Sequence, residues 1–193
     1  MGYSHYWSRQ EVIDSAVFSR ILQDFRLLLA PLRRMGVPLA GPFGTGEPTL
    51  EKEDIRFNGV MNCGHEPIAA MGWPADSARG VRMERSDVVV GSWGDGPSLS
   101  ARTCNGDCSN ETFAFPRVLE LKPWHVPHNG LYPQACKTAF KPYDLAITAL
   151  LVIAKHHLGT NIRTGTDGEL QHFRDGMNLC QKHLGYGKDF RFG

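Results

Sequence analysis

The chain has 193 residues, is 41% hydrophobic and carries a formal charge of +1. That length suits one domain, residues 1–193, with enough apolar residues for a core. The balanced charge excludes an overall field for nucleic acid or an anionic membrane, and no apolar run approaches the roughly 18 residues of a bilayer span.

The start, MGYSHYWSRQ, has neither a signal-peptide pattern nor a myristoylation pattern, so a cytoplasmic setting is expected. Its aromatics and His5 predict a docked strand or extended arm. Residues 9–34 follow three-and-four apolar spacing and predict the first helix, with Ser8 as cap and Glu11 completing a capping box. Pro31 is expected to kink or end it. Residues 36–48 are punctuated by Gly and Pro; GPFGTGEP lacks the GK[ST] ending of a phosphate loop and reads as an ordinary loop. Ile55, Phe57 and Val60 predict a short strand, with Asn58-Gly59 as a turn signal.

Residues 61–110 read as an irregular insertion, rich in Gly, Pro, Ser and Asp, with Val88 to Val90 its clearest strand. Five cysteines make an odd count. Cys136 and Cys180 sit in apolar contexts as small core residues. Cys104 and Cys108 form a CxxxC that stays as plain thiols, closes a local disulfide, or binds zinc with Cys63 and His65. The residues call for no cofactor, and zinc at those four positions is the option kept beside that reading.

Residues 111–121 predict a strand that Pro116 forces to an edge or bulge. Residues 122–133 are a loop carrying His125 and His128. The run 136–159, CKTAFKPYDLAITALLVIAKHHLG, predicts a helix buried on nearly all sides, with Pro142 at its first position and Asp144 in its first turn. Lys155, His156 and His157 fall in its last turn and Gly159 suits its stop. A short strand at 161–164 follows, then a helix to about His183 opened by a capping box of Thr166 and Glu169. The fold class predicted is α+β, a small mixed or antiparallel sheet packed on three helices.

GYSHYW, FNG at 57–59, CNGDC, ETF at 111–113, CKTAFKPYD, AKHHLG and TDGE at 166–169 together resemble a group of small uncharacterised proteins of filamentous fungi, with shorter relatives in bacteria and phages. The resemblance implies one compact domain with a shared site. It implies no activity.

Packing does not account for Lys137, Thr138, Lys141, Tyr143 and Asp144 crowded before and at a helix start, which suits an anion. The expected function is therefore a small-molecule enzyme working by acid–base chemistry on an anionic substrate, through hydrolysis, group transfer or cyclisation. Glu111, Asp144 and His5 are its candidate catalytic residues; Lys137, Thr138, Lys141, Tyr143 and Trp7 are its candidate binding residues. His156, His157 and Asp167 form a second set, about 24 Å away at about 1.5 Å per residue. A nucleotide- or nucleic-acid-binding module using the same lysines and Arg163 is the first alternative. A scaffold presenting Trp73 and Trp93 is the second.

Overall fold

Residues 145–154 hold one polar side chain, Thr148, and every one of them is buried. The Thr148 hydroxyl donates back to the Leu145 carbonyl at 3.0 Å, so no polar group of this run needs water. The rest of the fold covers this segment.

The computed structural model describes residues 3–66, 79–83 and 100–193. The strands are β1 (Ser4–Arg9), β2 (Leu39–Ala40), β3 (Thr49–Leu50), β4 (Asp54–Gly59), β5 (Gly80–Met83), β6 (Ser100–Thr103), β7 (Phe113–Pro116), β8 (Tyr132–Lys137) and β9 (Ile162–Thr166). The helices are α1 (Ser15–Arg34), α2 (Asp144–Leu158) and α3 (Arg174–Leu184). The class is α+β. None of the described helices is long and apolar enough to cross a membrane.

β1 is the middle strand of an antiparallel sheet ordered β8-β1-β9. Its alternation buries His5, Trp7 and Arg9 on one face. The Trp7 ring sits 5.0 Å from Phe113 and joins an aromatic cluster with Phe115 and Phe57, which Phe25 of α1 extends. β4 pairs β3 on one edge and β7 on the other, with β2 beside its end. α1 and α3 both pack on α2.

α3 approaches α2 where a side chain is missing. A Cβ on Gly176 would lie 2.6 Å from Thr148 Oγ1 and 2.8 Å from the Ala149 nitrogen. Further along, the Cys180 thiol reaches the Ala149 carbonyl, and a Cβ on Gly187 would meet Val152. Both helices therefore run in the same sense and end on one side of the molecule.

Several boundaries differ from the sequence reading, each for a tertiary reason. α1 starts at Ser15, capped by Asp14, whose carboxylate accepts from the Ala16 and Val17 amides at 2.9 and 3.1 Å. Ser8 and Arg9 are instead held extended by ladders on both sides. Pro31 lies inside α1, which continues to Arg34. Cys136 and Lys137 end β8, paired with His5 and Ser4, so the long apolar helix begins only at Asp144. A turn with Ala139 and Phe140 at φ 51° and 55° makes the change of direction. Asn58-Gly59 is strand: the Asn58 side chain bonds Asn110 in both directions, at 3.0 Å each. The capping box is formed by Glu169 and His172 and opens a 3-10 turn, Leu170–Phe173, ahead of α3, because Thr166 ends β9. Val88 to Val90, Trp73 and Trp93 lie outside the described residues.

Candidate functional site

Where β4 ends, residues 60–63 meet residues 106–108. The Cys108 amide donates to the Val60 carbonyl at 3.0 Å, and the Cys63 amide to the Gly106 carbonyl at 3.0 Å. Between Cys104 and Cys108, Asn105 and Gly106 take positive φ, and the Asp107 amide closes on the Cys104 carbonyl at 2.9 Å. That tight loop turns both thiols to one side. Gly59 permits the approach, since a Cβ there would lie 2.0 Å from the Cys108 carbonyl oxygen.

His65 completes the group. Its Nε2–H donates to the Gly36 carbonyl at 2.6 Å, because a carbonyl only accepts, and this leaves Nδ1 as a lone pair. Nδ1 lies 3.4 Å from Cys104 Sγ and 3.2 Å from Cys108 Sγ, and Cys63 Sγ is 3.4 Å from Cys104 Sγ. All four donor atoms fall within 4.8 Å of one another. All five cysteines are free, so the local disulfide is not formed. As bare thiols the three ionise unequally. Burial, reinforced by the other sulfurs, pushes Cys108 far up, and burial also raises Cys104. Burial opposes ionisation of Cys63 too, but the His65 amide and the neighbouring thiols bring it below its ordinary value. The four donors together could hold a metal ion, and three sulfurs with one imidazole are a set that a divalent zinc-like ion takes.

Two residues before Cys104, β6 sends Arg102 into the core, where its side chain is 0% exposed. Its Nε donates to Asp144 Oδ2 at 3.0 Å and its NH1 to Asp175 Oδ2 at 2.7 Å. NH2 reaches the His172 carbonyl at 3.3 Å, and the guanidinium lies 5.1 Å from the centre of the Phe140 ring. Asp144 Oδ1 takes His5 Nε2 at 2.6 Å and the Thr138 hydroxyl at 2.7 Å. Helix α2 thus starts on a carboxylate with three side-chain partners. His5 Nδ1 is buried with no hydrogen-bond partner.

Burial by itself would raise the Asp144 pKa, but His5, then Arg102 and Thr138, bring it from 3.8 down to about 2. Between those values the folded chain binds fewer protons than the unfolded one. The contribution, roughly 2 kcal/mol, is whole above about pH 4 and is lost as pH falls to about 2. Urea unfolding at pH 5 and pH 2 should therefore show the advantage of wild type over Asp144→Asn shrinking on acidification. An advantage that stays constant would refute this linkage.

The structure brings the candidate residues together in two groups. His5, Thr138 and Asp144 meet directly and are fully buried. Around the preceding turn, the Glu111 carboxylate accepts from the Lys137 amide at 2.7 Å, and the Tyr143 hydroxyl donates to the Glu111 carbonyl at 2.8 Å. Glu111 and Lys137 are exposed, and Tyr143 is buried. Lys141 Nζ donates to the Asp107 carbonyl at 2.8 Å, tying this turn to the cysteine loop. Trp7 is buried in the aromatic cluster.

The second set does not assemble: Asp167 accepts from Tyr6 at 2.7 Å, beside the start of β1, while His157 pairs with Asp24 of α1 at 2.7 Å. Arg102 and Asp175 were missed by sequence reasoning. One sits in a stretch without periodicity, the other among ordinary helix residues, and only folding makes them neighbours. No family model, curated protein or solved structure matches this chain.

Proposed function

We propose that this is a zinc-binding protein whose ion, held by Cys63, His65, Cys104 and Cys108, serves the fold. The observation that carries the reading is the convergence of those four donor atoms within 4.8 Å. A tetrahedral ion with Zn–S about 2.3 Å and Zn–N about 2.0 Å needs sulfur–sulfur edges of about 3.8 Å and sulfur–nitrogen edges of about 3.5 Å. The observed 3.4 Å sulfur–sulfur and 3.2 and 3.4 Å sulfur–nitrogen separations need only a slight expansion. Four protein ligands leave no open position, which is the pattern of a structural site. The Gly36 carbonyl on His65 supplies the outer hydrogen bond that fixes a ligating imidazole.

In this reading the ion pins both ends of the 61–110 insertion and so delivers Arg102 to Asp144. His5, Thr138 and Asp144 then serve the core instead of moving protons on a substrate. Native mass spectrometry of the purified protein should find one zinc per chain, and Cys104→Ser or Cys108→Ser should lose it. Wild-type protein that binds zinc no better than either variant would refute the assignment.

A further inference from the structure

The cysteine cluster is open on one side. Cys63 is half-buried, whereas Cys104 and Cys108 are buried, as are Cys136 and Cys180 elsewhere in the chain. A small polar oxidant arriving from solvent therefore meets the Cys63 sulfur before any other. Cys104 Sγ lies 3.4 Å from it. Cys108 Sγ, held 3.2 Å from His65 Nδ1, is the competing partner. The backbone already joins the two stretches that carry the pair. The Cys63 amide donates to the Gly106 carbonyl at 3.0 Å, and the Cys108 amide to the Val60 carbonyl at 3.0 Å.

We propose that Cys63 and Cys104 are a site of oxidation by hydroperoxides, and that their disulfide displaces the ion and takes over its role as the clasp. The Cys63 sulfur attacks one oxygen of the peroxide. An S–O bond forms, the O–O bond breaks, and hydroxide or alkoxide leaves. The Cys104 sulfur then attacks the Cys63 sulfur, forming the S–S bond and expelling the second oxygen as hydroxide. The two sulfurs lose two electrons and the peroxide gains them; any thiol protons pass to the departing oxygens. A disulfide sulfur carries no charge to offer a cation, so Cys108 and His65 are left as two ligands where a closed site has four. Displacement of the ion rests on the zinc reading. The disulfide rests on the sulfur contact and stands without it.

The test treats the full chain, as purified, with hydrogen peroxide. Remaining thiols are alkylated under denaturing conditions and mapped by mass spectrometry, while a chromogenic chelator reads free zinc. Cys63 should be found joined to Cys104, with Cys108, Cys136 and Cys180 alkylated, and one zinc should be released per disulfide. Dithiothreitol should restore zinc binding. The oxidised chain should melt at least about 5 °C above the chelated, reduced chain, because the bond closes a long loop of the unfolded chain. With both chains chelated first, Cys63→Ser should lose its remaining cluster thiols to peroxide about tenfold more slowly than wild type. A chain purified without zinc that still joins Cys63 to Cys104 would support the oxidation site and count against the zinc reading alone. A bond from Cys108 in place of the 63–104 bond, zinc retained by the oxidised chain, melting no higher than the chelated chain, or an equal rate in Cys63→Ser would each overturn the proposal.

Discussion

Arg102→Met should cost about 3–5 kcal/mol of stability, read as a lower urea midpoint at unchanged slope. The substitution keeps the length of the side chain but removes the guanidinium that faces Asp144 at 3.0 Å and Asp175 at 2.7 Å. Both carboxylates are left at the starts of α2 and α3, Asp144 fully buried and Asp175 with its side chain 7% exposed. The penalty is that of a buried carboxylate deprived of a partner, which is far larger than the net worth of an exposed ion pair. Adding Asp144→Asn should return part of the loss, because a neutral amide no longer needs a cation. A loss below about 1 kcal/mol for Arg102→Met would mean that the network contributes little to holding β6 on the helices.

Zinc removal should lower the melting temperature by roughly 8–16 °C. Free ion a thousandfold above its dissociation constant stabilises the folded chain by about 4 kcal/mol, and a domain of this size loses about 2–4 °C per kcal/mol. The loss should be local at first. Amide exchange should quicken at 61–66 and 100–110, where the insertion is stitched to the end of β4, before it quickens in α2. Chelation that leaves the melting temperature unchanged would show that the donor cluster is held by its backbone hydrogen bonds alone. The effect should be absent in Cys108→Ser, which has already lost a ligand.

The two sites were legible in the sequence to different degrees. The cysteine cluster could be named residue by residue, because CxxxC and CxH place thiols and an imidazole on short loops. What that reading lacked was the distance between position 65 and position 104, and their approach is what makes the four residues a set that could hold one ion. The anion site at the start of α2 was inferred from crowded polar residues that packing did not explain. The crowding is real, and a buried carboxylate and two main-chain carbonyls account for four of its members. Thr138 and His5 serve Asp144, Tyr143 serves the Glu111 carbonyl, and Lys141 serves the Asp107 carbonyl. Buried polar residues and binding-site residues look the same in a sequence, since both put hydrogen-bonding groups beside apolar ones.

The sequence by itself determined the α+β class, the apolar run of α2 and the extended start. These are local properties: hydrophobic spacing fixes which face is buried, and Gly and Pro mark where regular structure stops. Tertiary structure decided where helices begin, because strand pairing holds Ser8, Arg9, Cys136 and Lys137 extended against their helical context. It also decided that Arg102, 42 residues from Asp144 and 73 from Asp175, pairs with both. The physical reason is the same in each case. Ladder hydrogen bonds and buried charges are satisfied only by groups distant in the chain, and no local pattern records which distant group will arrive.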